Sequence, residues 1–323
     1  MTAPHKVAII GLGVIGQRML ANMPNQERLE IAGGWDLSPE ACADAKGKFP
    51  WLTIADSAAA LIESADTDVV YIGVPPMAHR EYALAAIDAG KAVFCEKPLG
   101  IDIAESRDLT ERMEASGLRQ AVNFVFGAAR GAAALKAALQ AGEAGEVAGV
   151  DIRLHFAKWP RGWQENAAWL GRRQQGGFVR EVLSHYVFLT EKLFGASELV
   201  SSSLAYPASP EDAAETHVLA LFDCNGIPAT FAGTVGGAGP DLVEYTVWGS
   251  KTSYRLADWY RLTTSQGGGW TDAIAGIDNL PLDSYMLQLD NLAAMLDGEP
   301  HTLPDFRAAL SVQERIEELL SDG

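Results

Sequence analysis

The feature that most limits what this chain can become is the run from Val7 to Asp36. Val7, Ala8, Ile9 and Ile10 read as a buried strand, Gly11, Leu12, Gly13, Val14, Ile15 and Gly16 as the turn after it, and Gln17 to Met23 as the opening of a helix. Only glycine lets the backbone turn this tightly and come close to a pyrophosphate, while the start of the helix offers free N–H groups and the positive end of its dipole. A second apolar strand, Leu29 to Trp35, ends at Asp36, twenty residues past Gly16, about where an acid takes the ribose hydroxyls of a dinucleotide. Asp36 as a helix cap is the competing reading, and it weakens because Ser38 before Pro39 already starts the next helix. Strand, glycine turn, helix, strand and acid in that order predict a bound dinucleotide held by Gly11 to Gly16 and Asp36. An acid repels a 2′-phosphate, and no Lys or Arg follows before Lys46, so NAD is expected over NADP.

The same alternation continues. Helices are expected over 39–48, 58–63, 79–89 and 102–116, a short strand at 53–54, and strands over 68–73, 92–95 and 120–124. DVVYIG at 68–73 is apolar without alternation, as in a strand buried on both faces of a parallel sheet. It runs into Val74 and Pro75, with His79 opening the next helix, and the strand at 92–95 delivers Glu96 and Lys97 to the same sheet edge, where ligands sit in open α/β sheets. After about residue 122 the pattern changes to a helix at 132–141 and strands over 150–156, 199–204, 217–222, 229–234, 242–248 and 252–256, interrupted by one helix over 177–194. Helices over 285–296 and 305–320 end the chain. The fold class is therefore α/β: an N-terminal doubly wound parallel sheet over 1–122, then an α+β domain over 123–323 with a mostly antiparallel open sheet. The uncovered face of that second sheet predicts a homodimer or homotetramer.

At 323 residues with a net charge of −17, the chain is long enough for two cores and repels polyanions, so nucleic acid and anionic membranes are not expected partners. Three widely spaced cysteines, Cys42, Cys95 and Cys224, fit neither a zinc site nor a disulfide framework and point to the cytoplasm. The apolar start at Val7 is the first strand rather than a signal peptide, and no run reaches the length of a membrane span.

Three groups of residues could carry chemistry. Lys97 lies at the strand end where the nicotinamide half would reach; its ammonium could polarise a substrate hydroxyl, or it is a solvated turn lysine. Within GGFVREVLSHYVF, Glu181 and His185 stand four apart on one helix face. Imidazole moves protons near neutral pH and a carboxylate one turn away can orient it. The alternatives are a core histidine and a metal pair, the latter disfavoured because no further ligands complete a shell. Arg161, Trp163, Trp169 and Arg180, with neighbouring Trp159, Arg172 and Arg173, mix rings and guanidinium groups suited to sugar faces or to carboxylate and phosphate, or else form a self-packed loop.

GLGVIG, the GVPP turn with His79, VFCEKPL at 93–99 and the Gly-Gly helix with His185 together make the whole chain similar to the Gfo/Idh/MocA oxidoreductases, the glucose-fructose oxidoreductase and inositol dehydrogenase family. The resemblance implies a Rossmann domain, a second domain for substrate and oligomerisation, and terminal helices from about 285 returning to the first domain. It also implies a cis Lys97–Pro98 bond, roles for Lys97 and His185 in proton transfer, and cofactor contacts from Val74, Pro75, His79, Glu96 and Lys97. Two departures stand out: Glu181 replaces the family's usual aspartate, and the segment from Asn123 lacks the usual polar and arginine pair, which alters the sugar-binding pattern. The expected activity is NAD-dependent hydride transfer to or from a secondary alcohol or carbonyl of a sugar, polyol or related small molecule. Catalytic residues would be Lys97, His185 and Glu181; Asn123, Arg161, Trp163, Trp169 and Arg180 would meet the substrate. The alternatives are the same chemistry on a carboxylate-bearing or aromatic-derived aldehyde, hemiacetal or imine, and an NAD-binding sensor or NAD-dependent glycosidase.

Overall fold

The computed structural model describes residues 3–321. The chain forms two compact units, one taking in the chain up to Gly127 with Tyr285–Leu310, the other Ala128–Ser284 with the chain from Ser311 onward. The expected return of the terminal helices is thus divided at Leu310.

In the first unit the elements are β1 (His5–Ile10), α1 (Val14–Asn22), β2 (Leu29–Trp35), α2 (Pro39–Lys48), α3 (Ala58–Ile62), β3 (Val69–Ile72), α4 (His79–Asp88), β4 (Ala92–Glu96), α5 (Ile103–Ser116) and β5 (Gln120–Asn123). The expected strand at 53–54 is reduced to a single bridge between Ile54 and Gly34. The sheet is parallel throughout, in the order β2-β1-β3-β4-β5. The strand order reverses direction between β1 and β3, which opens a crevice at their carboxyl ends. β3 is buried along its whole length, as its unbroken apolar run requires of a central parallel strand.

The second unit carries α6 (Arg130–Gln140), β6 (Val147–Phe156), a π-helical segment Val179–Leu183 continuing into α7 (Ser184–Phe194), and then β7 (Ser197–Ala205), β8 (His217–Cys224), β9 (Ile227–Val235), β10 (Leu242–Gly249), β11 (Ser253–Ala257), β12 (Arg261–Ser265) and β13 (Thr271–Asp272). The eight strands run β13-β12-β11-β10-β6-β9-β8-β7. All pairs are antiparallel except β6 with β9. The alternation of Val150, Ile152, Leu154 and Phe156, all buried, with Asp151, Arg153 and His155 gives the sheet one core face, on which α6 and α7 pack, and one outer face. The chain closes with α8 (Leu280–Asp297), which starts five residues earlier than its sequence pattern suggests, and α9 (Phe306–Ser321). Among the described residues no helix is long and apolar enough to cross a membrane.

Candidate dinucleotide and proton-transfer sites

The glycine turn divides its tasks as a pyrophosphate cradle would. Gly11 has φ +98°, and a Cβ there would lie 2.4 Å from the Gly73 carbonyl oxygen. At Gly16 a Cβ would fall 1.9 Å from the Gly11 carbonyl oxygen, so the helix can approach its strand only without a side chain. Gly13 is different: nothing lies within 4 Å of where its Cβ would point, and as N-cap of α1 it has no side-chain cap. The open space and the uncapped amides of the first turn fit a phosphate. Leu12 faces the core, Ile15 is half-buried and Val14 exposed.

Asp36 is held rigidly at the end of β2. Its Oδ2 accepts the Leu12 amide at 2.7 Å and its Oδ1 the Ser38 amide at 2.8 Å. Ser38 is the cap of α2, its hydroxyl accepting from the Ala41 amide, which leaves the carboxylate of Asp36 lone pairs for ribose hydroxyls. Leu37 beside it is 82% exposed and uncharged.

At the ends of β3 and β4 the structure joins the two turns expected from sequence. Val74 and Pro75 follow β3, and Lys97, half-buried, follows β4 across a cis peptide to Pro98, as the resemblance implies. His79 is fully buried: Nδ1 lies 2.9 Å from the Pro98 carbonyl and Nε2 2.8 Å from that of Val74. A neutral ring donates to only one of them, and burial pushes the imidazole pKa down. His79 thus braces the turns that flank Lys97, and its imidazole is spent on backbone carbonyls. Glu96 Oε1 accepts from the Tyr71 hydroxyl at 2.7 Å and from Asn123 at 2.6 Å, while Asn123 accepts from Gln288. Burial and this carboxylate hold the Tyr71 hydroxyl well above its ordinary pKa. Glu96 and Asn123 therefore form one polar chain across the ends of β3, β4 and β5.

In the second unit, the single helix expected over 177–194 is instead a π segment followed by α7, with the Ser184 amide reaching back to the Val179 carbonyl. Such segments frequently mark functional sites. Both glycines before it are forced by close approach: a Cβ at Gly176 would meet the Trp169 and Leu170 carbonyls at 2.4 and 2.5 Å. One at Gly177, φ +100°, would strike the carboxylate of Glu215 at 2.4 Å. Glu215, 2% exposed, accepts the Val179 amide at 2.8 Å. Burial raises its pKa to about 7, with Arg180 pulling it down and Glu317 up.

Glu181 Oε1 accepts from Gln164 at 3.1 Å and lies 3.6 Å from the Arg161 guanidinium. Arg161 in turn stacks on Trp163, 4.7 Å from its centroid, and near Phe156 and Trp159. Arg180 is tied to Glu317 through two bonds of 2.6 and 2.7 Å and donates to the carbonyls of Arg173 and Gly176. It therefore braces the loop entering the π segment rather than projecting a free guanidinium. Trp169 sits half-buried in a short 3-10 turn over Ala168–Gly171. His185, 8% exposed, stands perpendicular to the Trp259 ring at 5.3 Å between centroids. Glu215 and Trp259 escape sequence reading because each reaches the helix from a distant loop, although the Gly-Gly pair signals that something comes close.

A parallel sheet with a glycine turn, an uncapped helix start and an anchored acid is the arrangement of a dinucleotide-binding Rossmann scaffold. Residues 5–124 match the family described as an oxidoreductase family with an NAD-binding Rossmann fold, and residues 132–255 match the GFO/IDH/MocA C-terminal domain. The chain belongs to the Gfo/Idh/MocA family. Inositol 2-dehydrogenase of Paracoccus denitrificans is 34% identical over 157 residues, 47% of this chain and 45% of that protein. The chain spans less than half the length of this relative in the match. Two solved structures share the fold over 99% of this chain. An oxidoreductase from Agrobacterium radiobacter in complex with NAD+, L-tartaric acid and magnesium has a TM-score of 0.83 at 17% identity and is covered over 97%. Biliverdin reductase of Synechocystis in complex with biliverdin and NADP+ has a TM-score of 0.79 at 21% identity and is covered over 99%.

Proposed function

We propose that the chain binds NAD and moves hydride between its nicotinamide and a secondary alcohol or carbonyl of a sugar, polyol or related small molecule. The observation that carries this is the open Cβ direction of Gly13 at an uncapped helix start, with Asp36 fixed beside it. The similarity to an inositol 2-dehydrogenase supports the substrate class. Asp36, followed by the uncharged Leu37, favours NAD over NADP. When bound, the cofactor accepts or returns the hydride. In the oxidation direction, Lys97 donates a hydrogen bond to the substrate oxygen and stabilises its developing charge, and His185 takes the hydroxyl proton as the C–H bond breaks. Glu181 joins the Arg161–Gln164 loop to the helix that carries His185. Because Arg161 and Arg180 face Glu181 and Glu317, the geometry supports a neutral substrate over a carboxylate-bearing one.

Steady-state rates with NAD across a panel of polyols and sugars test this. Lys97→Ala and His185→Ala should each lower kcat by about 10²- to 10⁴-fold while leaving NADH affinity nearly unchanged. Parent-like rates in both variants would remove the assigned roles. We further propose that two copies associate through the outer face of the second sheet, and that the three unpaired thiols suit a reducing cytoplasm.

A further inference from the structure

The hairpin between β11 and β12 turns through Asp258 and Trp259, and the Tyr260 amide closes it on the Ala257 carbonyl at 3.2 Å. Both central residues have positive φ, 50° and 71°. Positive φ at both central residues is the natural place for Asn-Gly or Asp-Gly. Asp258 conforms to that preference. Trp259 does not, since a bulky side chain in the left-handed region is an outlier that persists only where the surroundings over-determine it.

Those surroundings are specific. The indole packs 5.6 Å from the ring of Tyr186, which stacks on Tyr245 at 6.0 Å; both tyrosines are fully buried. This stack is a rigid base, and α7 supplies both Tyr186 and its neighbour His185. From that base the indole stands at 88° to the imidazole of His185, an edge-to-face contact. The tip of the hairpin is pinned as well, the Asp258 amide donating to the Val243 carbonyl at 3.0 Å. A glycine would relieve the backbone yet would remove the indole that packs on His185. The strain therefore coincides with a side chain of the turn that reaches the proposed proton-transfer residue.

We propose that Trp259 is a positioning residue, whose ring fixes the orientation of the His185 imidazole. The proposal rests on the reading of His185 as acid and base. It differs from a turn-forming role, for which glycine would serve better, and from a purely packing role, which any large apolar side chain would fill.

The test uses the full-length protein with isotopically labelled histidine, the His185 ring signals being assigned by their loss in His185→Ala. Trp259→Gly, Trp259→Leu and Trp259→Phe are compared with the parent. In Trp259→Gly and Trp259→Leu the His185 ring signals should move, and kcat should fall by about tenfold or more with NADH affinity unchanged. Trp259→Phe should recover most of both, because it keeps an aromatic face. If Trp259→Gly fails to fold, Trp259→Leu, which keeps the bulk and loses the ring, decides the question by itself. His185 signals and kcat that match the parent in Trp259→Leu would overturn the proposal. Full turnover in His185→Ala would instead overturn the acid–base reading, and the two failures are separately visible.

Discussion

Glu215 shows what a single buried carboxylate does to the helical segment that leads to His185. It accepts the Val179 amide at the start of the π segment and is confined by the backbone of Gly177, with Arg180 and Glu317 near it. Its pKa is raised from 4.5 to about 7 because burial penalises the charged form. Below pH 4.5 the group is protonated in both folded and unfolded chains and has no effect. Between 4.5 and about 7 the unfolded chain releases the proton while the folded one keeps it, so stability falls as pH rises. Above about pH 7 the loss is complete, at about 3 kcal/mol. Glu215→Gln keeps an acceptor for the Val179 amide and removes the titration. Denaturant melts of both proteins from pH 5 to 8 should show nearly equal stabilities at the acid end and a growing advantage for the variant toward pH 8. A difference that stays flat with pH would show that Glu215 ionises as freely folded as unfolded.

At the scale of elements, the glycine turn separates folding from binding. Gly16→Ala places a Cβ 1.9 Å from a backbone oxygen that cannot move without shifting β1 or α1, and should destabilise the first unit by about 1–3 kcal/mol. Gly13→Ala, at φ −66° and with open space ahead of it, should lose no more than the roughly 1 kcal/mol of a poorer helix cap while NADH affinity drops, because the methyl occupies the phosphate position. Fluorescence titrations with NADH and NADPH check both points: the parent should hold NADH more tightly, and tighter NADPH would end the argument from Asp36. This element was legible in the sequence because its constraints are local: three glycines, a strand before them and an acid after the next strand. The parallel sheet was legible for the same reason, through unbroken apolar runs such as DVVYIG. The π segment was not, since a helical period over 177–194 hides one extra residue in a turn. The pairing of β12 and β13 was also missed, because short polar strands such as Arg261–Ser265 carry little hydrophobic signal. Glu181 and His185 fall in successive helical pieces, the acid in the π segment and the imidazole in α7, and the partners of the acid, Arg161 and Gln164, depend on a loop fold that no periodicity reports.

For the whole molecule, the proposed association has to bring together two copies of a chain of net charge −17. The outer face of the second sheet offers an answer in its register. Leu219 pairs with Ala232, Ala232 with Arg153, and Arg153 with Glu244, so these side chains share one face, as do Asp151, Thr246 and Arg255 in the next row. Leu219 is 57% exposed and Trp248 39%, with the Trp248 indole donating to Asp151 at 2.7 Å. The face thus mixes apolar side chains with both signs of charge, unlike the acidic chain as a whole. In the proposed assembly, opposite charges on this face would attract at contact, whereas the net repulsion acts at range and is screened over about 8 Å at physiological salt. Association should therefore strengthen between low and physiological salt. Sedimentation at micromolar concentration should give at least twice the mass of one chain, and Leu219→Glu, which puts a charge where the face exposes an apolar side chain, should give the monomer with an unchanged melting temperature at low concentration. A parent protein that sediments as a monomer at all salt concentrations would remove this face as the interface.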